Sequence, residues 1–79
     1  MNVQVLFFGA TAEITGCRRL DLEMPEQSKA HKVFESLTAE HPRLNQHKLH
    51  YSINQQYATG DEIIRDGDEL AIFTAVSGG

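Results

Sequence analysis

The chain has 79 residues, a formal net charge of −4, 41% hydrophobic residues and 23% charged residues. This length suits one small domain over residues 1–79, and the charges are too few and too mixed for a disordered chain. The negative balance argues against nucleic acid as the main partner, because binding to phosphates requires a basic patch.

The first part of the chain predicts two strands in a hairpin. Val3, Val5 and Phe7 alternate with their neighbours, which is typical of a strand. Residues 9–16 should form a loop or a short helical turn, and residues 17–23 should form a second strand. Two successive strands joined this closely are expected to pair antiparallel.

A helix is predicted next. Ser28 is of a residue type that caps helix N-termini, and Pro42 should end the helix near His41, because the residue before a proline avoids the α region. Between them, apolar residues at spacings i, i+3, i+4 and i+7 form one stripe of an amphipathic helix. The stripe consists of Ala30, Val33, Phe34 and Leu37.

The remainder of the chain predicts three more strands. Leu49, Tyr51 and Ile53 alternate in a third strand, and a turn at residues 54–56 leads to a short strand at residues 57–58. A last strand over residues 69–76 should follow the turn signal Asp66-Gly67-Asp68.

One helix can cover only one face of the resulting sheet. The economical arrangement is an α+β fold of the ubiquitin-like β-grasp type. It has a mixed sheet of four to five strands, its first and last strands adjacent and its main helix on one face.

Cysteine content and apolar runs indicate a cytoplasmic protein that binds no membrane. Cys17 is the single cysteine, whereas small secreted domains usually contain several. The opening segment lacks the positive flank of a secretory signal. No apolar run approaches the ~20 residues that a membrane-spanning helix requires.

Few side chains could carry chemistry. No glycine-rich phosphate loop, nucleophile elbow or HExxH motif occurs. His47 and His50 are three residues apart, but a metal site needs three or four ligands, so we interpret them as surface histidines and expect no metal site. Cys17 has no assured basic or histidine neighbour, and we expect it to be structural rather than reactive.

The sequence ends in two glycines, Gly78 and Gly79, after a last strand. Because glycine has no Cβ, such a tail can enter a narrow channel. A terminal carboxyl group is ionised at neutral pH and is a poor electrophile, so chemistry there needs activation by a partner. We therefore predict that residues 74–79 are a flexible tail that carries an activated acyl group; the alternative is a frayed chain end.

The whole chain resembles the small, sulfur-carrier subunits of molybdopterin synthase. The resemblance is carried by Val5-Leu6-Phe7-Phe8, Glu13, Gly16, Ile53-Asn54, Tyr57 and the ending Asp66-Gly67-Asp68-Glu69-Leu70-Ala71-Ile72-Phe73 with Val76-Ser77-Gly78-Gly79. The family usually has an arginine before the glutamate and a proline pair before the tail. Here Ala12 and Thr74-Ala75 occupy those positions. Without the two prolines, the segment before the tail lacks a stiff, extended conformation.

The resemblance implies a role at the C-terminus. An adenylating enzyme of the ubiquitin-activating type would use ATP to activate Gly79, which would then become a thiocarboxylate. The tail residues Val76, Ser77, Gly78 and Gly79 would insert into the large catalytic subunit of the synthase. There the tail would donate sulfur to cyclic pyranopterin monophosphate in molybdenum cofactor biosynthesis.

The resemblance also implies how the subunits assemble. The chain would be a non-catalytic subunit of a heterotetramer and would bind no cofactor itself. Phe8, Tyr57 and Phe73 fall at the positions of the family's apolar docking surface. Phe7 and Phe8 must point to opposite faces of the sheet, which independently supports an exposed Phe8.

Three other functions remain open at this point. A related sulfur carrier for thiamine thiazole synthesis has the same fold and tail. A ubiquitin-like modifier would join Gly79 to lysine side chains of other proteins. A plain interaction domain would have an inert tail.

Overall fold

A computed structural model describes residues 1–74. Its elements in chain order are strand β1 (Asn2–Phe7), helix α1 (Ala10–Thr15), strand β2 (Arg19–Glu23), helix α2 (Ala30–Glu40), a 3₁₀ helix (Pro42–Gln46), and strands β3 (Leu49–Ile53), β4 (Gln56–Tyr57) and β5 (Glu69–Thr74). The predicted tail residues Val76, Ser77, Gly78 and Gly79 lie outside the described residues.

The five strands form one mixed sheet in the order β2-β1-β5-β3-β4. β1 runs antiparallel to β2 and parallel to β5, while β3 runs antiparallel to both β5 and β4. Val5 therefore lies opposite Leu20 on one side and Leu70 on the other. The first and last strands are adjacent, which confirms the predicted β-grasp architecture.

The core lies between α2 and one face of the sheet, which we call the inner face. Alternate residues of β1 and β5 point into it, and the predicted stripe of α2 packs against them. The buried apolar residues of the core are Val3, Val5, Phe7, Ala30, Val33, Phe34, Leu37, Leu44, Ile64, Leu70 and Ile72. Each of these is at most 6% exposed. The alternate residues of the strands and the apolar stripe of α2 therefore pack together in a single layer.

The prediction that Ser28 caps α2 is wrong. Its hydroxyl donates to the Pro25 carbonyl at 2.6 Å, and the helix begins at Ala30 without a side-chain cap hydrogen bond. The Ala30 amide instead donates to the backbone carbonyl of Glu62 at 2.8 Å. A contact between distant parts of the chain has replaced the local cap, and either partner can satisfy a free helix amide.

Three smaller boundaries also differ from the predictions. β2 begins at Arg19 instead of Cys17, and β4 covers Gln56–Tyr57 instead of residues 57–58. The segment after β1 is a helix of six residues, in agreement with the helical one of the two predicted alternatives. Thr74, the predicted first residue of the tail, still pairs with Leu49 inside β5. Among residues 1–74, neither helix is long and apolar enough to cross a membrane.

Candidate functional site

The opposite face of the sheet, which we call the outer face, carries the residues predicted for partner docking. It has a polar end, where Gln4 lies opposite Glu69 and Asp21. At its other end, which we call the apolar end, Leu6 lies opposite Ala71 on β5 and Arg19 on β2. Because α2 covers the inner face, side chains on the outer face remain half-buried or exposed. The apolar end is the candidate docking surface.

Phe8 lies at this apolar end, immediately after β1. Its amide donates to the Ile72 carbonyl at 3.1 Å, so the parallel pairing with β5 continues one residue beyond the strand. Since Phe7 is paired with Ile72, Phe8 is brought level with Phe73. Phe7 is 2% exposed and Phe8 is 51% exposed, which confirms that the two rings point to opposite faces.

Tyr57 and Phe73 belong to a cluster of three rings on the outer face. Their ring centroids are 6.1 Å apart, and Tyr57 is 79% exposed. The third ring is His50, which stacks on Phe73 at 5.8 Å and meets Tyr57 edge-on at 6.5 Å. These are ordinary distances for interacting aromatic rings. The docking surface is therefore defined by Phe8, His50, Tyr57 and Phe73.

Sequence reasoning missed His50 as a member of this surface. It was interpreted only as a surface histidine beside His47. The signal was present in the alternation of β3, because a strand with Leu49 and Tyr51 facing inward must point His50 outward. The contact between His50 and Phe73 could not be predicted from the sequence, because it depends on the register in which β3 pairs with β5.

A tight turn places Tyr57 beside the rest of the surface. Asn54 and Gln55 have φ angles of 49° and 71°, and positive φ at both central residues is the geometry of a two-residue type I′ hairpin. The Asn54 side chain donates to Asp68 at 3.1 Å and accepts from the Glu69 amide at 3.1 Å. This side chain thereby fastens the β3–β4 turn to the beginning of β5.

Thr11 fastens α1 to the other end of the same strands. It is fully buried, and its hydroxyl oxygen lies 2.7 Å from the Phe8 carbonyl and 3.0 Å from the Ile72 carbonyl. One hydroxyl proton serves both acceptors. Thr11 therefore braces the backbone just before Phe73 and the end of β5, from which residues 75–79 continue.

A groove of about 800 Å³ adjoins Phe8, between α1 and the segment that leads into β2. Ala12 lines it at the position where the resembled family usually has an arginine. Cys17 also lines the groove; it is half-buried, and its thiol lies 3.8 Å from the Thr15 hydroxyl.

Two titratable groups have shifted pKa values, and one of them, Glu62, lines a shallow pocket together with Tyr57 of the docking surface. The amides of Thr59 and Gly60 donate to the Glu62 carboxylate at 2.7 and 2.8 Å, and these bonds lower the pKa of that carboxyl. Burial raises the pKa of Tyr51, which stacks on Phe34 of α2 on the inner face. Within residues 1–74, no three His, Cys, Asp or Glu side chains are placed to hold a metal ion.

The fold agrees with the comparisons with known proteins. The model of the ThiS family matches residues 5–79, and the chain belongs to this family. The human molybdopterin synthase sulfur carrier subunit is 33% identical over 83 residues, an alignment that covers 99% of this chain and 94% of that protein. The subunit of the same name from Arabidopsis thaliana is also 33% identical, over 100% of this chain and 84% of that protein.

Solved structures extend the similarity to other members of the fold. SAMP1 from Haloferax volcanii, a small archaeal modifier protein, superposes with a TM-score of 0.88 at 25% identity, and the alignment covers all of both chains. A chain in the complex of subunits 1 and 2 of the molybdopterin-converting factor from Helicobacter pylori superposes with a TM-score of 0.70 at 21% identity, again over all of both chains. At that identity the second likeness shows the fold alone.

Proposed function

We propose that this chain is the sulfur carrier of a molybdopterin synthase, a non-catalytic subunit that delivers sulfur from its C-terminus. The observation that carries this proposal is the 33% identity to the human sulfur carrier subunit over 99% of the chain. The aromatic docking surface supports it, because it lies on the outer face at the end of β5 that leads to Gly79.

The proposed chemistry begins with activation of the Gly79 carboxylate by an adenylating enzyme of the ubiquitin-activating type. A carboxylate oxygen attacks the α-phosphorus of ATP, and pyrophosphate leaves. Sulfide then attacks the acyl carbon and displaces AMP, which yields a thiocarboxylate and one proton. The acyl-adenylate formed in the first step is a mixed anhydride and a good electrophile, whereas the free carboxylate is a poor one.

Transfer requires the large catalytic subunit in the proposed assembly, a heterotetramer. The docking surface binds that subunit, and the tail Val76-Ser77-Gly78-Gly79 enters its active site. The thiocarboxylate sulfur bonds to a carbon of cyclic pyranopterin monophosphate and displaces an oxygen substituent from it. Water then cleaves the acyl–sulfur bond, which leaves the sulfur on the pterin, restores the carboxylate of Gly79 and releases a proton. Two such donations build the dithiolene that binds molybdenum.

The test is the intact mass of the chain after incubation with ATP, the activating enzyme and sulfide. We expect a mass gain equal to the difference between sulfur and oxygen, located at Gly79. A chain lacking Gly79 is the matched control and should retain the thermal unfolding transition of the full chain while gaining no mass. If the full chain gains no mass with a competent activating enzyme, the proposal is wrong.

A second experiment separates this function from the two other uses of an activated Gly79. Loaded chain and purified large subunit should convert the pterin precursor, which a carrier for thiamine thiazole synthesis would not do. The similarity to SAMP1 favours protein modification as the second candidate. A modifier would form amide bonds between Gly79 and lysine side chains. Because Arg65 is the last trypsin site before Gly79, tryptic peptide mapping would detect each modified lysine with residues 66–79 of this chain attached.

A further inference from the structure

His50 is the one imidazole in the aromatic cluster of the docking surface. Its ring lies between Phe73 of β5 at 5.8 Å and Tyr57 of β4 at 6.5 Å, and it is half-buried. A protein that covers Tyr57 and Phe73 must cover this ring as well. Binding would therefore remove the imidazole from water together with the two neighbouring rings.

The titratable neighbours of this imidazole among residues 1–74 include the phenol of Tyr57 and, two residues earlier in the chain, the ammonium group of Lys48. β5 presents Phe73 and Ala71 on this face, β4 presents Tyr57, and Ser52 follows on β3 itself. No described carboxylate lies within 4.0 Å of the ring nitrogens, in contrast to His31, whose Nδ1 is 3.5 Å from Glu35.

We propose that His50 is a specificity-determining residue of the docking surface and is bound by the large subunit in its neutral form. This inference rests on the proposed function, because it concerns the partner of that function. Removing a charged imidazole from water without a facing carboxylate is costly. This cost favours docking of the neutral ring.

The proposal defines the surface of the partner opposite His50. It is uncharged and apolar, with at most a neutral hydrogen-bond partner for the ring. A carboxylate there would pair with the charged ring and reverse the pH dependence. Since histidine changes charge between pH 5 and 8, binding should release a proton below neutrality, and the affinity should fall as the pH is lowered.

The test is the dissociation constant of the full-length chain and the purified large subunit at pH 7.5 and pH 5.5. We expect binding to be several-fold weaker at pH 5.5, because protonation of the imidazole opposes its removal from water. His50→Leu should remove that difference. His31→Gln is the matched control, because it removes an imidazole from α2 on the opposite side of the sheet, and it should keep the full difference.

Three results would overturn the proposal. His50→Leu with an undiminished pH dependence would place the titrating group elsewhere, and stronger binding at pH 5.5 would indicate a facing carboxylate. Wild-type chain that fails to bind the large subunit at both pH values would overturn the proposed function and this inference together. Circular dichroism at both pH values separates these results from unfolding of a variant.

Discussion

The inner and outer faces of the sheet are built from the same strands but have opposite properties. Val5, Phe7 and Ile72 point inward and are at most 2% exposed, while Phe8 and Phe73, one residue further along, point outward. A strand sends successive side chains to opposite faces, and α2 covers only one of them. The inner face therefore supplies stability, and the outer face is left available for recognition.

The sharpest test of this division compares two adjacent phenylalanines. Phe7→Ala should lower the free energy of unfolding by about 3–5 kcal/mol, because it leaves a cavity in the core. Phe8→Ala should lower it by less than about 1 kcal/mol, since that ring is largely exposed. Urea unfolding measures both, and equal losses would contradict the division between the faces.

Binding to the large subunit, unlike stability, should depend on the exposed rings of the outer face. Phe73→Ala should weaken binding by about 2 kcal/mol or more, the usual loss for an aromatic residue at the centre of an interface. Gln4→Ala, at the polar end of the same face, is the control and should leave the dissociation constant nearly unchanged. Comparable losses for both variants, measured by calorimetry, would mean that docking is not centred on the rings.

Thr11 affects both faces, because its hydroxyl donates to the backbone carbonyls of Phe8 and Ile72, which carry an outward-facing and an inward-facing side chain. Thr11→Val keeps the shape but leaves the Phe8 and Ile72 carbonyls with fewer donors, so we expect a loss of about 1–2 kcal/mol in stability. Thr11→Ser retains the hydroxyl and should recover much of this loss. A denaturation midpoint that is the same for valine and threonine would show that the hydroxyl contributes nothing.

The β3–β4 turn offers a change that should improve stability without touching either face. Gln55 has a φ of 71°, which is unfavourable for a residue with a Cβ and acceptable for glycine. Gln55→Gly should raise stability by about 0.5–1 kcal/mol. The melting temperature measures this, and a decrease would mean that the turn does not limit stability.

Glu62 lies in the segment whose backbone carbonyl binds the first amide of α2. Replacing its side chain should have the smallest effect on stability at neutral pH. Its pKa is lowered in the folded state by the amides of Thr59 and Gly60. The resulting stability is fully present above the pKa of the unfolded chain and is lost as the pH falls through the folded value. Wild-type stability should therefore fall more steeply than that of Glu62→Gln below about pH 5. Parallel unfolding curves over that range would show that the carboxylate is not responsible.

Much of the fold could be predicted because its signals are local. The alternation of Val3, Val5 and Phe7 and the stripe of α2 each follow from a period that a short window of sequence contains. The cap of α2 could not be predicted in this way. Its amide partner, the Glu62 carbonyl, comes from a segment that only the folded chain brings near Ala30.

The candidate site was predictable in part. The outward direction of Phe8 followed from its position next to Phe7, whereas Tyr57 and Phe73 were identified through the family resemblance. The structure places all three at the apolar end of the outer face. His50 was missed because its contact with Phe73 depends on the pairing of β3 with β5, which no local pattern specifies. The prediction that Gly79 carries the acyl group lies outside the described residues and stays a prediction.

The parallel pairing of β1 with β5 has a consequence for biosynthesis. β5 is synthesised after the four other described strands, yet it occupies the centre of the sheet, between β1 and β3. Until it is made, those two strands have no common neighbour and the core lacks Leu70 and Ile72. Contacts between such distant segments slow folding. A nascent chain therefore cannot complete this sheet before β5 has been synthesised, so a chain cut short before Glu69 would lack the strand that joins its two halves.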